Sequence, residues 1–123
     1  MTMAWNRPRF HCTLFLLGIV TSVNIFAAVP TGAESISKGR ALYMSNCTAC
    51  HGNDGKSQLD VVSNATDLTE PLLYHNGTTD TDITRSIRDG VGGVMPAWGA
   101  VFNNEESIEN LKNFIKSLWP AKK

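Results

Sequence analysis

The chain has 123 residues, enough for one small domain or for a domain plus a processed segment. Apolar residues make up 42% of it, and 11 basic residues balance 11 acidic ones. That composition excludes wholesale disorder, and a chain without a basic excess is not an ordinary nucleic-acid-binding protein.

Taken from the N-terminus, Arg7 and Arg9 precede an apolar run from Leu14 to Val20, and no acidic residue appears before Glu34. A short positive region, a brief apolar stretch and then small residues form the layout of an export signal. The expected organisation is a cleaved signal peptide over residues 1–33 and a folded domain over 34–123, located in the periplasm. Small side chains at Thr31 and Ala33 place the preferred cleavage before Glu34, with Ala27 and Ala28 as alternative sites. A retained membrane anchor is the competing reading. The stretch from Leu14 to Val29 is short for it and is interrupted by Thr21, Ser22 and Asn24. No stable membrane insertion is therefore expected after cleavage. Cys12 leaves with the signal, so Cys47 and Cys50 remain as one pair, and the loss of Arg7 and Arg9 leaves a small acidic excess.

Ile36, Gly39, Tyr43 and Cys47 recur at steps of three or four, as one face of a helix requires. This helix runs into Asn46-Cys47-Thr48-Ala49-Cys50-His51, which contains C-x-x-C-H, the attachment signature of c-type haem. Cysteines three apart on a helical turn project to the same side, where their thiols can add to the two haem vinyl groups. His51 follows directly, so the same turn delivers an imidazole nitrogen to the iron. Three other chemistries use the same residue types. A thioredoxin-like dithiol wants a βαβ setting, and none is present. A structural zinc site needs further Cys or His ligands, and His75 alone is left. A disulfide across two residues is more often a redox device than a structural one.

From His51 to Asp80 the chain is rich in Gly, Asn, Asp, Ser and Thr, which predicts loop with one short helix near Glu70 to Tyr74. Ile83 and Ile87, four apart, predict a helix over 80–89 with Asp80 or Thr81 as its N-cap and Gly90 as its stop. Met95 then sits in Gly90-Val91-Gly92-Gly93-Val94-Met95-Pro96-Ala97-Trp98-Gly99. Glycines let this backbone approach a macrocycle, and Pro96 biases Met95 to an extended conformation. A methionine by itself is usually a core filler. Here, downstream of a haem motif and next to proline, it is the candidate sixth ligand. Met44, on the attachment helix, is tied to the histidine side. His75 is the alternative ligand, though its ordinary reading is a loop histidine near a haem propionate. Trp98 is expected to pack beside the haem.

Ile108, Leu111, Ile115 and Leu118 step by three, four and three, with Phe114 widening the stripe. Asn103 with Glu106 is the expected start of this last helix, and Pro120 lies just past its end. Trp119 is expected in the core at that end. Lys112, Lys116, Lys122 and Lys123 are expected on a solvated face.

From about Ser37 to Leu118 the chain resembles a small class I bacterial cytochrome c. The resemblance rests on Gly39-x-x-x-Tyr43, Cys47–His51 with Gly52 and Gly55-Lys56, Asp67-Leu68-Thr69, Met95-Pro96, and Leu111-x-x-Phe114-Ile115-x-x-Leu118. It implies a compact all-α fold of about three to five helices around one covalently bound haem c. It implies attachment at Cys47 and Cys50, with His51 and Met95 on the iron, and one-electron transfer rather than an enzymatic reaction. Periodicity and the resemblance together set Gly39 and Tyr43 against Leu111, Phe114 and Ile115 at a helix crossing. Residues 64–69 and 80–98 are also similar to small cytochromes that accept electrons from quinoprotein alcohol dehydrogenases, and to haem domains of some terminal oxidases. The partners expected are a redox donor and a redox acceptor, docking briefly near Ala49 and the Met95–Trp98 loop. A gas sensor or peroxidase-like catalyst with a labile Met95, and a fixed haem subunit of a larger oxidoreductase, remain as alternatives. In one respect the chain departs from the pattern. Many relatives have a proline whose carbonyl accepts from the ligating histidine, whereas residues 62–68 contain none. A carbonyl acceptor from this loop is still expected on chemical grounds.

Overall fold

The computed structural model describes residues 32–57 and 65–121. The signal peptide expected over 1–33 lies outside the described residues, apart from Gly32 and Ala33. Among the described residues five α-helices follow in chain order: α1 (Gly32–Asn46), α2 (Thr48–His51), α3 (Asp80–Asp89), α4 (Gly99–Phe102) and α5 (Glu105–Ser117). A 3₁₀ turn at Pro71–Leu73 matches the short helix expected near Glu70. Among the described residues there is no strand, only an isolated bridge between Val91 and Met95. The all-α expectation holds.

The α1–α5 crossing is the most extensive contact between elements. On α1 it buries Ser35, Gly39 and Tyr43, spaced four apart. A Cβ on Gly39 would lie 1.9 Å from the Asn110 carbonyl oxygen and 2.8 Å from the Phe114 Cβ, so only glycine lets the two backbones meet. The Tyr43 and Phe114 rings sit 5.1 Å apart at 53°. Ser35 Oγ donates to Asn110 Oδ1 at 2.6 Å, and Asn113 Nδ2 donates back to Ser35 Oγ at 2.9 Å. The crossing expected from Gly39 and Tyr43 is present, with this polar clasp added.

α5 buries Ile108, Leu111, Phe114 and Ile115 of the stripe read from the sequence, while Leu118, its last member, caps the helix and is partly buried. Its start is one residue later than expected. Asn104 is the N-cap, accepting from the Ser107 N–H at 2.7 Å, while Asn103 takes a left-handed φ of 49° and ends α4. α3 turns Ile83 and Ile87 inward and stops at Gly90, as expected. Its cap is Thr79 rather than Asp80 or Thr81, because Thr79 and Asp82 form a reciprocal capping box.

Lys112 does not lie on a solvated face. It is 3% exposed, and its Nζ donates to Asp80 at 3.0 Å and pairs with Glu109. Lys116 also pairs with Asp80. A buried ammonium is tolerable only with such partners, and here they tie the start of α3 to α5.

Candidate cofactor site

A cavity of about 880 Å³ is walled by the end of α1, by α2, α3 and α5, and by the loops between them. Cys47 at the N-cap of α2, with Cys50 and His51 on that helix, line one side of it, and Met95, Pro96 and Trp98 come from the loop between α3 and α4. Leu68, Ile83, Ile87, Leu111 and Ile115 supply apolar wall, and Lys56, Ser57, His75 and Asn76 supply polar groups. The sequence candidates Cys47, Cys50, His51 and Met95 thus share one cavity. Met44 is exposed and is not part of its wall.

Local geometry explains how the Cys47–His51 turn is held. The N–H of Cys47 bonds to the Tyr43 carbonyl, so the motif continues directly from α1. Tyr43, buried at the α1–α5 crossing, donates its hydroxyl to the Gly52 carbonyl at 2.7 Å and so fixes the chain just after His51. Burial, and then the neighbouring Cys50, push the Cys47 thiol up to about 11. A thiol held in that way is not the thiolate on which a redox dithiol depends.

The His51 ring is oriented by one hydrogen bond. Its Nδ1 lies 3.0 Å from the Thr66 carbonyl oxygen. A carbonyl only accepts, so Nδ1 carries the proton and Nε2 keeps its lone pair. Desolvation lowers the His51 pKa, outweighing the opposing pull of the Thr66 bond, so the ring is neutral at pH 7. A neutral imidazole with one nitrogen engaged and the other free is a metal ligand in waiting. Thr66 is the acceptor that the sequence alone left unassigned.

The Met95 loop is equally fixed. Val91 and Met95 exchange N–H···O bonds of 3.1 Å in both directions, and the Trp98 N–H bonds to the Ile87 carbonyl at 3.0 Å. The Trp98 ring stacks on Phe102 at 5.5 Å and 17°. Gly90, with φ 76°, carries the turn into the loop, and a Cβ there would sit 2.5 Å from the Met95 carbonyl oxygen. Met95 is half-buried and packs against the core, whereas His75 is exposed. Trp119 also packs against the core, as expected, edge-on to Tyr74.

These residues fit the haem that the motif implies. The cavity volume lies within the roughly 300–1,000 Å³ of cofactor clefts, its wall is largely apolar, and a neutral imidazole and a thioether share it with two thiols. Sequence reasoning placed the His51 acceptor in the loop over 62–68 without singling out Thr66, because the acting group is a backbone carbonyl without a side-chain signature. It gave Tyr74 no role beyond the end of the short helix near Glu70, because the bonds of its hydroxyl to Leu68 and Trp119 form only in the folded chain.

Comparison with known proteins places the chain among haem proteins of one kind. The family model described as cytochrome c oxidase, cbb3-type, subunit III matches residues 34–115. The cbb3-type cytochrome c oxidase subunit FixP of Azorhizobium caulinodans is 36% identical over 76 residues, covering 62% of this chain and 25% of that protein. Subunit CcoP of Rhodobacter capsulatus is 32% identical over 106 residues, covering 81% of this chain and 35% of that protein. The chain therefore spans about a quarter to a third of the length of these relatives. Among solved structures, cytochrome CL from Methylophaga aminisulfidivorans MPT has the same fold, with a TM-score of 0.60 and 21% identity. That match covers 72% of this chain and 57% of the other.

Proposed function

The chain belongs to the cytochrome c oxidase, cbb3-type, subunit III family, and we propose that it is a monohaem electron carrier with Cys47 and Cys50 as the covalent attachment points and His51 and Met95 as axial ligands. The observation that carries this reading is the His51 bond to Thr66, which leaves Nε2 unprotonated in a cavity shared with both cysteines and Met95. The haem supplies reversible one-electron exchange between ferrous and ferric iron.

The chain's own residues account for the rest. Cys47 and Cys50 retain the group, and Thr66 sets the tautomer of His51. Met95 offers a thioether, the ligand type that raises a potential relative to a second histidine. Ile83, Ile87, Leu111 and Ile115 exclude water from the wall, which disfavours the more highly charged oxidised state. Leu72, Leu73 and Val94 line the cavity yet are exposed, Leu72 by 95%, and they form a small apolar rim. Such a rim suits brief docking of a redox donor or acceptor with modest salt dependence. Residues 1–33 act in this reading as an export signal, and the carrier works in the periplasm between a dehydrogenase, of the quinoprotein alcohol type, and an oxidase or other acceptor.

The test is a potentiometric titration of the purified haem-loaded protein followed by addition of carbon monoxide to the reduced form. The carrier reading expects one reversible one-electron wave, a methionine-to-ferric charge-transfer band and a spectrum unmoved by carbon monoxide. A spectrum that shifts with carbon monoxide assigns the site to gas or peroxide chemistry instead.

A second reading is favoured by the FixP and CcoP relatives, which are oxidase subunits. In it the chain is a fixed haem subunit. Co-purification with an oxidase at constant stoichiometry through salt washes supports it, and a freely eluting monomer supports the carrier.

A further inference from the structure

The cavity, the ion-pair cluster around Lys112 and the exposed rim all belong to the site or the fold already described. Tyr74, which lines the cavity, and Trp119 make a pair of hydrogen bonds to which neither site nor fold has yet given a role. Tyr74 closes the 3₁₀ turn at Pro71–Leu73, and its hydroxyl donates to the Leu68 carbonyl at 2.9 Å. Trp119, just beyond α5, presents its ring edge-on to Tyr74 at 5.9 Å and places Nε1 3.3 Å from the Tyr74 oxygen. The directions are forced by the chemistry. A carbonyl only accepts and an indole N–H only donates, so the phenol hydroxyl donates to Leu68 and accepts from Trp119.

Leu68 lies two residues beyond Thr66, whose carbonyl accepts the His51 Nδ1–H bond. No proline stiffens residues 62–68, so other bonds must place that carbonyl. The Leu68 N–H bonds to the Gly55 carbonyl at 2.7 Å, and Asp67 Oδ1 accepts from the Thr69 N–H and hydroxyl at 2.8 and 2.7 Å. Tyr74 supplies the side-chain bond that links this short segment to the end of α5.

We propose that Tyr74, braced by Trp119, is a positioning residue that holds the Thr66 carbonyl against His51 and thereby tunes the reduction potential of the site. The inference rests on the carrier reading above. A firm Nδ1–H···O bond raises the basicity of the imidazole as a ligand and favours the oxidised state. Loosening the loop weakens that bond, so the potential must rise.

The experiment compares haem-loaded wild type, Tyr74→Phe, Trp119→Phe and Ser35→Ala. Tyr74→Phe keeps the ring and removes the hydroxyl. Ser35→Ala weakens the α1–α5 clasp and serves as a control for stability alone. Two quantities are read: the midpoint potential, and the hydrogen exchange of the His51 Nδ1–H by NMR in the reduced state. Tyr74→Phe is expected to shift the oxidised/reduced equilibrium by up to about fivefold toward the reduced form, the scale of one hydrogen bond. At 59 mV per tenfold for one electron, that is a rise of up to about 41 mV. Exchange at Nδ1 should quicken in parallel, Trp119→Phe should move both quantities the same way by less, and Ser35→Ala should move neither. If Tyr74→Phe does not fold, Trp119→Phe carries the test. The proposal is overturned if Tyr74→Phe and Trp119→Phe leave both quantities at the wild-type values, or if Ser35→Ala moves them as much. A wild-type protein whose haem is not ligated by His51 overturns the carrier reading and this inference together; intact ligation with unmoved readouts overturns this inference alone.

Discussion

Gly39 offers the sharpest perturbation of the fold, because two effects of opposite sign meet there. In an isolated helix, Gly39→Ala would stabilise by about 1 kcal/mol, the difference in intrinsic propensity. At the α1–α5 crossing, however, the added Cβ would lie 1.9 Å from the Asn110 carbonyl oxygen and 2.5 Å from its carbon. These are backbone atoms of a helix, so no side-chain rotation relieves the clash. Restoring ordinary contact needs the two helices to separate by about 1.5 Å, which also strains the Tyr43–Phe114 contact and the Ser35–Asn110 bond. Overpacking of this kind costs about 3 kcal/mol at the upper end of its usual range. The net expectation is a loss of about 2 kcal/mol, or roughly 8–16 °C in melting temperature for a domain of this size. Thermal and denaturant unfolding of the haem-loaded protein read it directly. A variant as stable as wild type, or more stable as propensity alone demands, refutes the close crossing.

Further outcomes follow from the capping and charge geometry. Asn104→Ala removes the acceptor for the Ser107 N–H and should cost about 1 kcal/mol in denaturant unfolding, whereas Asn103→Gly, at the left-handed position, should cost little. Hydrogen bonds from Lys116, and then from Lys112, hold the Asp80 carboxyl below the usual carboxylate range. Its contribution is therefore present above the unfolded pKa near 4 and is lost as pH falls through the depressed folded value. Asp80→Asn should lower stability at neutral pH by at most about 1 kcal/mol, because Asp80 is largely exposed, and should flatten the acid limb of a stability–pH curve. Met95→Ala should abolish the methionine charge-transfer band in the absorption spectrum while leaving the haem attached.

Much of this architecture is legible in the sequence because it is local and periodic. The C-x-x-C-H turn, the Ile83–Ile87 face and the Ile108–Ile115 stripe each announce themselves within one or two helical turns. α4 does not, since four residues are too few to show a period, and its presence shifts the α5 cap from Asn103 to Asn104. Around Thr79 several neighbouring residues are competent caps, and only the reciprocal bond with Asp82 selects one. Lys112 reads as a surface cation because its partner Asp80 lies 32 residues away. The Thr66 carbonyl is harder still. Every residue has such a group, and only the folded loop decides which one His51 meets.

The central claim is one haem held through both cysteines, and intact mass spectrometry of the denatured protein tests it most directly. The account expects the polypeptide plus one haem, with the extra mass surviving acid and organic solvent and disappearing in a Cys47→Ala/Cys50→Ala double variant. A mass equal to the polypeptide alone, in protein made in a host that matures c-type cytochromes, contradicts it.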